Sequence, residues 1–149
     1  MRWILAPGLL LTQLLLACVS TTFEADPIPL RFRSADLRWY VQNHGADRRG
    51  IDAMIATELS SLLSVQAGHG DAASLPAGVD LLVTYEDRWQ WDMANYLILL
   101  RIDVRDAATN ALLAAGISYQ TSLARKGPES VVEAILKAML RTEGETPGR

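Results

Sequence analysis

At 149 residues, half of them apolar, the chain has room for one folded domain and little else. Its formal charge of −3 leaves no basic footprint for a phosphate backbone, so nucleic acid is not an expected partner. One cysteine, Cys18, excludes an intramolecular disulfide.

The chain opens Met1-Arg2 and runs apolar from Trp3 to Ala17, with Pro7-Gly8 and Gln13 inside the run. A positive start, an apolar stretch and a small residue before the cut describe a secretory signal peptide over residues 1–17. The stretch is short for a spanning helix, which needs about 20 apolar residues.

The last four residues of this leader, Leu15-Leu16-Ala17-Cys18, resemble the lipobox of bacterial lipoproteins. The resemblance implies that Cys18 is acylated, palmitate included, and becomes the mature N-terminus. Val19 stands where an aspartate would imply retention in the inner membrane. The resemblance therefore implies a lipid anchor in the outer membrane with the domain on its periplasmic face. That oxidising compartment suits a chain with no free thiol left after modification. Without the resemblance, the same residues read as an ordinary signal peptide or a retained anchor beside an isolated cysteine.

Residues 18–29 read as the lipidated N-terminus and a linker, because Pro27 and Pro29 favour extended backbone. From Val19 to Pro29 such a tether spans at most roughly 36 Å. A single domain is expected over residues 30–141. Leu30–Arg33 and Leu37–Val41 predict strand pieces, together one edge strand, and Asn43-His44-Gly45 predicts a turn. His44 reads as a solvated turn histidine or a metal ligand, and His69 falls in a glycine-rich loop. Two histidines with no carboxylate cluster make no zinc site, so neither metal nor cofactor is expected.

Ile51, Ile55, Leu59 and Leu62 recur at helical spacing and predict a helix over Ile51–Ser64. Asp47 is its expected N-cap. Gln66–Gly78, rich in glycine, alanine and serine, predicts a long loop. In Val79–Met93 the odd positions apart from Asp87 are apolar and the even ones apart from Leu82 mostly polar, a strand with one buried and one wet side. In Tyr96–Asp106 the apolar residues take the even positions Tyr96, Ile98, Leu100, Ile102 and Val104. Asp106–Asn110 predicts a turn in which Asn110 takes a left-handed conformation. A third strand follows, with Leu113, Ala115, Ile117, Tyr119 and Thr121 alternating and Gly116 marking a bulge or a close approach. Pro128 opens a closing helix that reaches Arg141. Residues 142–149 predict a disordered tail. The elements predict an α+β, two-layer fold, an antiparallel sheet of about four strands with two helices packed on one face.

Three segments, Val79–Tyr85, Ile102–Thr109 and Leu112–Gly116, with the closing helix after them, resemble small uncharacterised Gram-negative envelope lipoproteins of the domain-of-unknown-function type. The element order also resembles accessory lipoproteins of envelope transport and lipopolysaccharide assembly.

Candidate site residues gather on the first long strand and its return. Tyr85, Trp89, Trp91 and Tyr96, with Met93, form either a platform for sugars, lipids or a peptide, or core beneath the helices. Asp87 interrupts their row. A charge there is costly to bury unless paired, so either a bulge shifts the phase or this end is wet on both sides. Glu86, Asp87 and Asp92 lack the companion groups of acid–base catalysis and read as solvated. Ser118, Ser122 and Ser130 lack a nucleophile-elbow context. Arg125-Lys126 reads as an exposed turn or a contact for anionic headgroups.

The expectation is a non-enzymatic outer-membrane lipoprotein acting as an interaction or assembly-accessory module, with an envelope protein as partner. The alternative is a lipid- or small-ligand-binding lipoprotein. A free sheet edge with buried aromatics favours the first, and a deep apolar cavity lined by Trp89 and Trp91 the second.

Overall fold

The computed structural model describes residues 21–141. The expected signal peptide (1–17), the lipidation site Cys18 and the tail (142–149) lie outside the described residues. In chain order the elements are β1 (Thr21–Ala25), β2 (Arg38–Gln42), α1 (Ile51–Leu63), β3 (Gln66–Gly70), β4 (Leu81–Asp92), β5 (Ala94–Asp106), β6 (Leu112–Gln120) and α2 (Pro128–Met139). Short 3-10 turns occupy Leu30–Phe32 and Ala72–Ser74.

The protein is α+β, with two helices over a six-stranded mixed sheet ordered β1-β6-β5-β4-β2-β3. An antiparallel sheet of about four strands is thus corrected in number and direction. β4, β5 and β6 form the expected meander, but β2 pairs in parallel with both β4 and β3. It is an interior strand, not an edge. The parallel pairing of β2 with β3 follows from α1, which carries the chain back to the end of the sheet where β2 began, and residues 71–80 carry it back again before β4.

β3 lies inside the stretch expected as a loop. Its glycines hide a strand because the Tyr40 ring lies across it. A Cβ on Gly68 would meet Tyr40 Cδ2 at 3.3 Å, and one on Gly70 would meet the Tyr40 hydroxyl at 2.7 Å. The Tyr40 hydroxyl donates to the Asp71 carbonyl at 2.9 Å.

Half of the expected linker is also a strand. β1 pairs antiparallel with β6, from Thr21 opposite Gln120 to Ala25 opposite Gly116. The following residues are pinned: the Asp26 amide donates to the Ala115 carbonyl, and the Ile28 amide to the Met139 carbonyl. Ile28 is fully buried. Arg33 then donates to the Ile28 and Leu140 carbonyls, both at 2.7 Å, placing a cation at the C-terminal end of α2. Only residues 19 and 20 lie between Cys18 and the sheet, so the segment expected as a linker of roughly 36 Å reaches at most roughly 10 Å.

Both helices cover one face of the sheet. Ile51, Ile55 and Leu59 of α1 and Val132, Ile135, Leu136 and Met139 of α2 join Trp39, Val41, Leu81, Val83, Ile102 and Val104 in one core. On β6 the side facing the helices is made of small or polar residues (Ala114, Gly116, Ser118), because α2 lies close upon it. A Cβ on Gly116 would fall 2.6 Å from Ile135 Cγ2 and 2.8 Å from Met139 Sδ. Close helix approach is therefore the reason for Gly116. We predict that Gly116→Ala lowers unfolding stability by about 1–3 kcal/mol through overpacking, read as a fall in the urea midpoint with an unchanged slope.

Candidate functional site

The long hairpin β4–β5 carries the four candidate aromatics, and the structure does not gather them into one platform. A register shift between Arg88 and Trp89 sets Arg88 opposite Leu99 but Trp89 opposite Leu97, leaving Ile98 as an extra residue. The bulge reverses the phase of β5. Leu97 joins the core, while Tyr96 turns to the other face with Gln90. Tyr85 is buried in the core, Trp89 is half-buried, and Trp91 stands 72% exposed beside Met93 at 90%. Tyr96 is buried under the Arg125 guanidinium, 4.9 Å from its ring centre.

Asp87 keeps its place in the inward row. Its carboxylate takes the His44 Nε2 at 2.6 Å and the indole N–H of Trp89. The Ala46 amide donates to His44 Nδ1 at 3.3 Å. With Nδ1 accepting, the Nε2 N–H donates to the Asp87 carboxylate, so both ring nitrogens are engaged in hydrogen bonds. His44, expected as solvated, is the pin that holds the charge. Asp87 is likewise not a solvated carboxylate; its side chain is only 7% exposed.

The 43–50 segment presents two further groups to this strand, Arg49 and Asp47. The Arg49 guanidinium lies 4.0 Å above the Trp89 ring, and His44 packs on Tyr85 with ring centres 5.0 Å apart. Asp47 accepts from the amides of Arg49 (2.6 Å), Gly50 (3.1 Å) and Ile51 (2.7 Å), and from the Tyr85 hydroxyl (2.7 Å). The N-cap position itself is Gly50, in a left-handed conformation. Asp47 satisfies the start of α1 from three residues upstream. Burial pushes its carboxyl up, but the Arg49 amide, the Tyr85 hydroxyl and the Ile51 and Gly50 amides outweigh this and hold it below the ordinary value. Burial, then the bond to Asp47, raises the Tyr85 phenol far above its usual range.

Other expected groups are placed elsewhere. His69 lies on β3 and meets Asp52 at 3.1 Å. Asp92 pairs with Arg125 at 3.0 Å, and Glu86 with Arg88 at 3.3 Å. Ser118 is fully buried against the helix layer. Among the described residues no group of three or more histidine, cysteine, aspartate or glutamate side chains is arranged to hold a metal ion.

The sheet face away from the helices was not singled out by sequence. There β6 turns Ala115, Ile117 and Tyr119 outward, next to Leu99 of β5. Arg101 and Arg105 flank Asp103 on β5, at 2.8 and 3.2 Å. A shallow cleft of about 200 Å³ opens between β1 and β6, lined by Glu24, Asp26, Arg101, Leu112 and Ile117 among others. The available signal was the alternation of β6 itself, whose larger apolar residues share one face while its small ones share the other.

No family model matches the chain, and no curated protein matches it. Among solved structures the chain is similar to a PelC dodecamer from Paraburkholderia phytofirmans. The TM-score is 0.57 at 13% identity, covering 81% of this chain and 95% of that one. A single-substitution variant of the same PelC, also a dodecamer, gives 0.57 at 12% identity with the same coverage. Likeness at this identity shows the fold alone.

The Asp47 cluster yields a prediction. Asp47→Ala strands the Tyr85 hydroxyl and three amides and lowers stability by about 1–3 kcal/mol. Because the folded carboxyl titrates below its ordinary value of 3.8, its contribution is present above that value. It is lost as pH falls through the lower folded value. The stability gap between wild type and Asp47→Ala, measured by urea unfolding, is therefore full above that ordinary value and narrows on acidification below it.

Proposed function

We propose that this protein is a non-catalytic lipoprotein, anchored through Cys18 in the outer membrane, whose periplasmic domain acts by associating with protein surfaces, copies of itself included. The observation that carries this reading is the helix-free face of the sheet. Tyr119, 50% exposed, and Leu112, 47% exposed, stand there with Ile117 and Leu99, and the Arg101–Asp103–Arg105 ladder lies alongside. Apolar ground beside charged side chains is the composition of an association surface. The two outer strands, β1 and β3, add backbone edges able to accept another strand. Self-association draws support from the PelC structures, which are dodecamers of a similar fold.

The alternative, a lipid- or small-ligand-binding lipoprotein, has less behind it. Trp91 is 72% exposed, and Trp89 is occupied by Arg49. The cleft at β1–β6, about 200 Å³, is smaller than the roughly 300 Å³ at which ligand pockets begin.

Two outcomes test the reading. Cys18→Ser abolishes incorporation of labelled palmitate and releases the protein from the membrane fraction. Tyr119→Arg, with an unchanged circular-dichroism spectrum, shifts the detergent-purified full chain to a smaller assembly in light scattering coupled to gel filtration. A wild-type protein that is monomeric at micromolar concentration, and that crosslinks to no envelope protein in cells, overturns it.

A further inference from the structure

The lipid anchor proposed above has a geometric consequence. β1 begins at Thr21, opposite Gln120, the last residue of β6. Gln120 in turn donates to the Leu97 carbonyl at 3.1 Å. The chain therefore enters the fold at the end of the sheet from which the β4–β5 hairpin projects. Pairing between β5 and β6 stops at Leu99 opposite Tyr119, so the hairpin runs on without a β6 partner from Ile98 to its tip at Met93. At about 3.3 Å per residue, those residues carry the tip roughly 16 Å past the level of Thr21. Cys18 is three residues before Thr21 and reaches at most roughly 10 Å. An anchor seated in a bilayer leaves too little slack for the tip to stand clear.

The composition of that end matches this position. Trp91, Met93 and Leu123 are 72%, 90% and 65% exposed, and all three belong to the hairpin tip or to the segment between β6 and α2. The Asp92–Arg125 ion pair ties the two together. Arg125 offsets Asp92, while the Lys126 ammonium meets no carboxylate among the described residues. Tryptophan beside other apolar tips, with cations close by, is the pattern of side chains seated at a membrane–water interface.

We propose that the hairpin end is seated on an anionic lipid bilayer, with Trp91, Met93 and Leu123 entering the headgroup region and Lys126 meeting lipid phosphates. The proposal rests on the lipid-anchor reading of Cys18. It gives the domain a fixed orientation and directs its helix-free face sideways, along the membrane plane, toward neighbouring protein.

The test uses the full chain, made in a Gram-negative host and reconstituted into vesicles of phosphatidylethanolamine and phosphatidylglycerol with brominated acyl chains. A fluorophore is attached at Met93→Cys or, at the far turn, at Ala108→Cys. Either is the single free thiol when lipid occupies the Cys18 sulfur. Mass analysis of the N-terminal peptide reads that occupancy separately. The expected result is severalfold stronger quenching at 93 than at 108, diminished when phosphatidylglycerol is omitted. Equal quenching at the two positions with Cys18 lipidated overturns the seated tip and leaves the anchor standing. A Cys18 without lipid overturns the anchor, and the proposal with it.

Discussion

The β4–β5 hairpin is longer than the helices that cover it, and most features of the molecule follow from that mismatch. α1 and α2, with 13 and 12 residues, are roughly 20 Å and 18 Å long at 1.5 Å per residue. β4 and β5, with 12 and 13 residues, are each roughly 40 Å long at about 3.3 Å per residue. Two helices of that size bury only the half of the hairpin nearest the Asp106–Asn110 turn. The other half has to meet water, a partner or a membrane.

The boundary between the two halves falls at Asp87. Inward of it Val83 and Tyr85 lie in the core; outward of it Trp89 is half-buried and Trp91 exposed. A carboxylate at such a boundary stabilises nothing unless its charge is met, and His44 with the Trp89 indole meets it. The 43–50 segment thereby does two tasks. It closes the side of β4 that β2 leaves unpaired beyond Val83, and through Asp47 it supplies acceptors for the first amides of α1. The bulge at Ile98 belongs to the same boundary. By reversing the phase of β5 it puts Leu97 on the core and frees Tyr96 to pack under Arg125.

The second organising feature is the short entry of the chain. Residues that read as a spacer are committed to β1 and to the buried Ile28, which draws the domain close to wherever Cys18 is held. In the proposed anchored state, a domain on so short a tether has few orientations available. The helix-free face and the hairpin end then acquire separate roles, the first toward protein and the second toward lipid.

Much of this architecture was legible in sequence, for a reason that also marks where legibility stopped. The helices, the meander strands, the turn with left-handed Asn110 and the significance of Gly116 all leave a periodic or punctuating signal within a few residues. β1 and β3 do not. The residues of β1 show no alternation and precede Pro27 and Pro29, and the glycines of β3 read as a loop until the Tyr40 ring that requires them is in view. The partner of Asp87 was equally hidden, since His44 is 43 residues away and looks like any turn histidine. Local periodicity by itself determined the α+β class, the helices and the long hairpin, because side-chain spacing within one element decides which faces can be buried. Strand order, parallel pairing of β2, the pin on Asp87 and the coincidence of chain entry with the hairpin tip were decided by tertiary structure alone. Each is a contact between distant segments, formed because a buried edge or charge needs a partner that its own neighbours cannot supply.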